Sequence, residues 1–216
     1  MDITKEISLA KKHTCLPIAR LRSVAKHIQT CIDENIPGCF IECGVQMGGT
    51  VCFLKLIANK LGATDREVHG FDSFEGLPVP SIKDVAVDGT NAYTMYQNNR
   101  IFEDCVVSVE RFNHTVKDLG VEGQVIGHKG WFKDTLPVFE KQIAILRADG
   151  DWYESTSDIL KNLYDKVVPG GFIIFDDYNY WKGCHQAVDE FLQQRQIQVQ
   201  MHFTDSEEMW FRKPWN

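Results

Sequence analysis

Two apolar segments of the chain each end in neighbouring aspartates, and acids placed this close together need compensation. The segment QIAILRADGD ends in Asp149 and Asp151, and the segment GGFIIFDD ends in Asp176 and Asp177. Carboxylates in such pairs repel each other, which costs stability. We therefore expect a positive group to lie between them.

A donor set made only of carboxylate oxygens is typical of a hard cation. It indicates magnesium, with manganese or calcium as alternatives. Neither segment contains a histidine, which argues against zinc or non-haem iron. Magnesium commonly keeps positions for water and substrate oxygens, so the site would be catalytic rather than structural. The competing interpretation is that some of these acids cap the following helices or form ion pairs with Arg147 or Lys182.

Strand-like and helical segments alternate along the chain. Apolar runs typical of buried strands lie at residues 38–44, 67–73, 123–130, 143–149 and 171–177. Helical spacing of apolar residues covers residues 17–38, 48–62, 101–120, 153–171 and 181–196, with a broken helix at residues 131–142. The central runs are continuously apolar, as expected when helices cover both faces of a sheet. This order predicts an α/β fold with a Rossmann-like, doubly wound, mostly parallel sheet.

The end of the chain predicts an antiparallel hairpin at the edge of this sheet, with its turn at residues 204–207. We expect one domain over residues 1–216, with an N-terminal helical segment at residues 1–37. Residues 74–99 lack clear periodicity and predict a lid or acceptor wall, with apolar surface from Tyr93, Met95 and Tyr96. Ligands of such sheets bind at the carboxyl ends of the strands, where the aspartate pairs lie.

A glycine-bearing turn in FIECGVQMGGT connects the first strand to a helix. Gly44, Gly48 and Gly49 allow the backbone to approach a ligand closely, and Asp72 lies 23 residues beyond Gly49, where an acid can bind a ribose hydroxyl. The spacing is GxxxGG rather than the nicotinamide pattern GxGxxG, and Glu42 would repel a pyrophosphate. The turn therefore favours a nucleoside without phosphates, such as S-adenosylmethionine. The alternative is a tight connection with no ligand.

The motif HKGWFKDTL follows the third strand. Gly130, Trp131 and Phe132 are placed where an adenine ring can lie between aromatic and backbone surfaces. The alternative is that the two aromatic side chains belong to the core.

Composition excludes several classes of partner. The chain has 216 residues, a net charge of −7 and no Lys/Arg cluster, which argues against a nucleic-acid partner. We see no signal-peptide pattern and no apolar run of membrane-spanning length, so we expect a cytoplasmic protein without a membrane partner. Seven cysteines without CxxC spacing suggest reduced, buried thiols. Apolar surface on the N-terminal helix and at residues 210–215 suggests a homodimer or a larger homo-oligomer.

Six motifs together resemble a known family: FIECGVQMGGT, GFDSFEGLP, HKGWFKDTLP, LRADGDWYEST, VPGGFIIFDDY and WKGCHQAVDEF. In this order and spacing they are similar to the macrocin O-methyltransferase family, which includes sugar O-methyltransferases of macrolide and aminocoumarin antibiotic pathways. The similarity covers residues 14–191. It implies a class I methyltransferase fold, S-adenosylmethionine as methyl donor, a magnesium ion, and a small hydroxylated acceptor such as a sugar or a vicinal diol of a natural product.

The resemblance also assigns roles to residues. It implies Asp149, Asp176 and Asp177 as metal ligands and Asp151 as the general base. Together with the motifs above, the predicted donor-binding set is Glu42, Gly44, Gly48, Thr50, Asp72, Ser73, Gly130, Trp131, Phe132 and Asp149. The chain departs from the family at Gln46, where tryptophan is usual, and at His185, where a basic residue is common. A nicotinamide-dependent oxidoreductase and a non-catalytic S-adenosylmethionine-binding protein remain as alternatives.

Overall fold

A seven-stranded sheet forms the centre of the protein, whose computed structural model describes residues 1–98 and 105–215. The strands are β1 (Cys39–Cys43), β2 (Val68–Asp72), β3 (Val125–Lys129), β4 (Ile143–Ala148), β5 (Val167–Phe175), β6 (His202–Phe203) and β7 (Met209–Arg212). Their order in the sheet is β3-β2-β1-β4-β5-β7-β6. Strands β1 to β5 pair in parallel, and β7 is antiparallel to both β5 and β6. The predicted mostly parallel sheet with a C-terminal antiparallel hairpin is confirmed.

Helices cover both faces of the sheet. They are α1 (Thr4–Ala10), α2 (Ile18–Asp33), α3 (Gly49–Lys60), α4 (Ala92–Gln97), α5 (Val109–Asp118), α6 (Phe132–Thr135), α7 (Tyr153–Leu163) and α8 (Lys182–Gln194). Phe40, Ile145 and Ile174 belong to the core on the side of α1, α2, α3 and α5. Ile41 and Leu146 belong to the core on the side of α7 and α8. Burial on both sides explains why the strand segments are continuously apolar.

Several predicted helices have different bounds in the structure, and the broken helix predicted at residues 131–142 is reduced to α6. Helix α5 begins at Val109, where the Ser108 hydroxyl accepts a hydrogen bond from the Arg111 amide at 3.3 Å. Residues 101–104 of that prediction lie outside the described residues, and Val106 is exposed ahead of the helix. The prediction for residues 153–171 was wrong at its end, because β5 already begins at Val167 after a short 3-10 turn. Strand pairing with Ile143 of β4 overrides the helical pattern there.

The segment predicted to be irregular is partly helical and is attached to the domain. Within residues 74–98, α4 is capped by Asn91, whose side chain accepts a hydrogen bond from the Thr94 amide at 3.1 Å. Asp84 is fully buried and accepts hydrogen bonds from the amides of Tyr153 (2.8 Å) and Ser81 (2.6 Å). The middle of the segment is therefore tied to the start of α7.

The length and the apolar character of a helix determine whether it can cross a membrane. Among residues 1–98 and 105–215, no helix combines the length and the apolar character that crossing a membrane requires.

A buried histidine of α2, His27, predicts that the stability of the fold decreases at acidic pH. His27 is stacked on Phe172 with ring centroids 4.4 Å apart, and burial lowers its pKa to about 3. Because the folded-state pKa lies below the unfolded value of about 6.5, the unfolded state binds more protons, so this contribution is present above pH 6.5 and is lost as the pH falls. The His27 contribution should decrease by about 2 kcal/mol between pH 7.5 and pH 5.

Replacement of this side chain tests the expectation. In His27→Phe the free energy of unfolding, measured by urea titration at both pH values, should fall by about 2 kcal/mol less than in the wild type. His114→Gln serves as the matched control, because His114 is exposed on α5. An equal fall in wild type and His27→Phe would contradict the prediction.

Candidate active site

Strand order brings the acidic segments together at the edge of the sheet that is formed by the carboxyl ends of the parallel strands. Strands β1, β4 and β5 are neighbours and run in the same direction, so their carboxyl ends lie side by side. Two adjoining cavities open at this edge. The aromatic cavity, of about 450 Å³, is lined by residues that include Ser73, Tyr96, Trp131 and Phe132. The acidic cavity, of about 330 Å³, is lined by residues that include Glu42, Thr50, Asp151, Asp176 and Asp177.

The two cavities share part of their lining. Gly44, Asp72, Gly76, Leu77 and Asp149 line both of them. An elongated molecule can therefore lie across the end of β1, with one part between aromatic side chains and the other beside the acids.

Three of the four aspartates face a common point. Asp149, Asp151 and Asp177 each offer one carboxylate oxygen, and these atoms all lie within 4.8 Å of one another. Asp177 Oδ2 is buried without a hydrogen-bond partner among the described residues. Asp151 adopts a left-handed backbone conformation (φ 56°), and its Oδ1 accepts a hydrogen bond from the Trp181 indole nitrogen at 3.2 Å. This trio has the donor chemistry of a hard-cation site.

The carboxylate of Asp176, predicted to be a metal ligand, contacts two arginines in the structure. Its Oδ1 contacts Arg147 Nη2, and its Oδ2 lies 2.8 Å from Arg20 Nη1. The structure therefore brings Asp151 into the trio, and Asp176 faces two arginines.

Arg147 supplies a positive group between the acids. Its side chain is fully buried, and Nη1 lies 2.7 Å from Glu42 Oε1 and 2.7 Å from Asp149 Oδ2. The alternative of ion pairs with Arg147 thus holds for Asp149 and Asp176. The arginine stands inside the apolar run of β4, and a charged residue in such a run was the available sequence signal.

Burial disfavours the charged form of these acids. It raises the pKa of Asp149 to about 6 and that of Asp151 to about 8, and repulsion from neighbouring aspartates adds to both shifts. The pKa of Asp177 is raised well above its ordinary value for the same reasons. Burial also raises the pKa of Glu42 to about 8, against the attraction of Arg147. A site of this kind favours protons or an additional cation.

Asp72 shapes the glycine-bearing turn. Its Oδ2 accepts hydrogen bonds from the amides of Val45 and Gln46, each at 2.9 Å, and its Oδ1 accepts one from the Phe74 amide at 2.8 Å. Asp72 therefore fixes the turn and at the same time lines both cavities.

The three glycines predicted to bind the methyl donor are required as glycine for different structural reasons. Gly44 has φ +87°, and a Cβ there would lie 1.8 Å from the Asp149 carbonyl oxygen, so no other residue fits. Gly48 has φ +88° and faces Phe112, and a Cβ at Gly130 would meet Thr135. Of these three glycines, Gly44 lines both the aromatic and the acidic cavity.

The remaining predicted donor residues lie at the cavities. Trp131 and Phe132 line the aromatic cavity, as does Ser73, whose hydroxyl donates to the Gly76 carbonyl at 2.7 Å. Thr50 lines the acidic cavity, and its hydroxyl lies 2.8 Å from that of Thr14. Glu42 leaves its Oε2 buried without a hydrogen-bond partner among the described residues.

Comparison with known proteins decides the enzyme class. The macrocin O-methyltransferase (TylF) family profile matches residues 8–213. The chain belongs to this family. It is 39% identical over 186 residues to the demethyldecarbamoylnovobiocin O-methyltransferase of Streptomyces niveus, covering 84% of this chain and 68% of the relative.

A second relative and a solved structure support the same assignment. The chain is 35% identical over 181 residues to the 8-demethyl-8-(2,3-dimethoxy-alpha-L-rhamnosyl)-tetracenomycin-C 4'-O-methyltransferase of Streptomyces olivaceus, covering 83% of this chain and 67% of that enzyme. The solved structure of the O-methyltransferase NovP matches with a TM-score of 0.84 at 34% identity, covering 94% of this chain and 83% of that chain. The resemblance found in the motifs and the class I methyltransferase fold are both confirmed, and the protein is an O-methyltransferase.

The site of this O-methyltransferase contains residues that the sequence analysis did not single out. Arg20 reaches from α2 to Asp176, and it also contacts Asp205 (2.7 Å) and Glu207 (2.6 Å) next to the C-terminal hairpin. Trp181 bonds to Asp151, as described above. Arg20 lies within the amphipathic helix α2, and Trp181 directly precedes the amphipathic helix α8. Their part in the site is recognised from their tertiary contacts and not from these sequence patterns.

Positions where the chain departs from the family pattern lie in different surroundings. Gln46 lines the acidic cavity. His185 is on α8, stacks on Tyr178 with ring centroids 4.2 Å apart, and lies 3.3 Å from Asp189. Of the two, Gln46 is the one placed to contact a ligand.

Proposed function

We propose that this O-methyltransferase moves a methyl group from S-adenosylmethionine to a hydroxyl of a natural product, a sugar or a vicinal diol, with help from a bound magnesium ion. The observation that carries this proposal is the trio of Asp149, Asp151 and Asp177, whose oxygens lie within 4.8 Å of one another beside the cavities. The sugar acceptor is supported by a relative whose name specifies methylation at the 4' position of a rhamnosyl compound.

The cavities suit the methyl donor. The donor carries a cationic ammonium group, and Glu42 Oε2 is a buried acceptor without a partner among the described residues. Trp131 and Phe132 offer aromatic surface for adenine, and Asp72 is placed to meet the ribose. Gly44, Thr50, Ser73 and Asp149 complete the lining, while Gly48 and Gly130 act through the shape of the backbone.

The aspartates suit a divalent cation. Among the residues that the structure describes, Asp177 Oδ2 is a buried acceptor without a hydrogen-bond partner, and Asp149 and Asp151 lie with it around one point. We propose that Asp149 and Asp177 hold the cation and that Asp176 joins them only by releasing an arginine. When bound, magnesium would make an acceptor hydroxyl more acidic and fix its direction, and the donor would supply an electrophilic methyl group.

The chain's own residues then divide the remaining work. Trp181 holds Asp151 through Oδ1, which leaves Oδ2 to take the proton from the acceptor hydroxyl. Arg147 holds Glu42 and Asp149 in fixed directions. The segment 74–98 forms one wall, since Pro78, Val79 and Tyr96 line the aromatic cavity.

The donor half of the proposal is tested by calorimetric titration. The wild-type protein should bind S-adenosylhomocysteine and should not bind NAD⁺, which separates the methyltransferase from an oxidoreductase. Asp72→Ala should weaken the binding of S-adenosylhomocysteine by about 1–3 kcal/mol, because it leaves the amides of Val45 and Gln46 without their acceptor and removes the ribose acceptor. The matched control is Asp65→Ala, an exposed residue ahead of β2.

Two results would count against this half of the proposal. Binding of NAD⁺ but not of S-adenosylhomocysteine by the wild type would remove the methyl donor. Unchanged affinity in a folded Asp72→Ala variant would remove Asp72 from the donor site. Turnover on rhamnosides compared with catechols then distinguishes the acceptor classes.

A further inference from the structure

Arg147 joins the two halves of the site through one guanidinium group. In the sheet, Arg147 is in register with Glu42 of β1 on one side and with Ile174 of β5 on the other. Asp176 comes directly after the end of β5, and its carboxylate contacts Arg147. The arginine side chain is fully buried and contacts Glu42, Asp149 and Asp176.

One nitrogen of the Arg147 guanidinium contacts both Glu42 and Asp149. Arg147 Nη1 lies 2.7 Å from a Glu42 oxygen and also 2.7 Å from an Asp149 oxygen. Glu42 faces the proposed donor position, and Asp149 belongs to the trio of aspartates. Because a guanidinium is planar and rigid, a shift of one carboxylate changes the bond to the other.

Arg20 offers an internal comparison. It is also buried and also contacts Asp176, but its other ionic partners are Asp205 and Glu207 at the hairpin rather than Glu42. Arg20 is therefore placed to support the aspartates, whereas Arg147 is placed to support the aspartates and the donor residue together.

We propose that Arg147 is a positioning residue that couples donor binding at Glu42 to cation binding at the aspartates. The inference rests on the proposed function, and it concerns how the two ligands of that function influence each other. Arg147 touches neither ligand in this scheme and acts through the carboxylates that it orients.

Binding measurements on two variants test the coupling. Arg147→Lys keeps the charge but loses the planar fork, and Arg20→Lys is the matched control. By calorimetry, Arg147→Lys should weaken S-adenosylhomocysteine binding in EDTA at least tenfold and Mg²⁺ binding at least tenfold. Arg20→Lys should weaken Mg²⁺ binding and leave S-adenosylhomocysteine binding within twofold of the wild type.

A double-mutant cycle with Glu42→Gln adds a readout that a purely structural role would not change. Glu42→Gln should weaken Mg²⁺ binding at least fivefold in the wild-type background and less than twofold in the Arg147→Lys background. If Arg147→Lys does not fold, Glu42→Gln alone decides, and an Mg²⁺ affinity within twofold of the wild type overturns the proposal.

The outcomes separate this inference from the proposed function. A wild-type protein that binds no S-adenosylhomocysteine contradicts the proposed function. A wild type that binds it, together with a folded Arg147→Lys variant that binds it within twofold, overturns only the role of Arg147. Equal losses of S-adenosylhomocysteine binding in the Arg147 and Arg20 variants also overturn it, because a general disturbance of the network would then explain both.

Discussion

Asp151→Asn should lower turnover by about 10²–10⁴-fold while the protein stays folded and binds donor and magnesium nearly normally. Asparagine is close to aspartate in shape and keeps an oxygen to accept the Trp181 hydrogen bond seen at 3.2 Å. It can neither carry the charge nor accept the proton, so the loss should fall on the chemical step. Single-turnover methylation, with donor affinity measured separately, checks this result.

The matched control is Asp149→Asn, two residues away on the same loop. Asp149 accepts a hydrogen bond from Arg147 at 2.7 Å and belongs to the trio of aspartates, so its loss should weaken magnesium affinity. Higher magnesium should therefore partly restore Asp149→Asn and leave Asp151→Asn unchanged. Rescue of Asp151→Asn by excess magnesium, with Asp149→Asn remaining inactive, would reverse the two roles.

Removal of the divalent cation should abolish turnover, and added magnesium should restore it. The three trio oxygens lie within 4.8 Å of one another and Asp177 Oδ2 is buried without a partner among the described residues, which is an arrangement that a cation relieves. Binding of S-adenosylhomocysteine should survive in EDTA, because Glu42 is held by Arg147 and Asp72 by backbone amides.

Turnover and calorimetric binding in the same EDTA-treated sample check this expectation. Calcium is a useful comparison, since it prefers longer bonds and more ligands than magnesium. Full activity in the cation-free enzyme would be incompatible with a metal role for Asp149 and Asp177. Asp149 would then be interpreted as an ion-pair partner of the buried Arg147.

The alternation of apolar runs and helical periodicities was enough to determine the architecture. Largely apolar runs such as residues 143–146 are compatible with strands covered on both sides, and the observed β4 is buried along its whole length. The position of the acids at the carboxyl ends also followed from chain order, because parallel neighbours end at the same edge. Family membership was recognisable from six local motifs, each of which is a contiguous stretch of sequence.

Local sequence patterns were insufficient where a residue from elsewhere in the chain determines the local structure. Val167 continues a helical pattern but pairs with Ile143 of β4, so the strand begins earlier than predicted. Gly44, interpreted from the sequence as a point of ligand approach, lines both cavities, but the second reason for a glycine there, the carbonyl of Asp149 from the neighbouring loop, is visible only in the structure.

The direction of the aspartates was decided only by the tertiary structure. In the sequence Asp176 and Asp177 are equivalent neighbours, but Arg147 from β4 and Arg20 from α2 both face Asp176. Asp177 and Asp151 are left to face Asp149. Sequence spacing determined that acids would gather at this edge of the sheet. Which of the acids pair with the buried side chains of Arg147 and Arg20 depends on contacts between residues as far apart as 20 and 176, and no local sequence pattern contains such contacts.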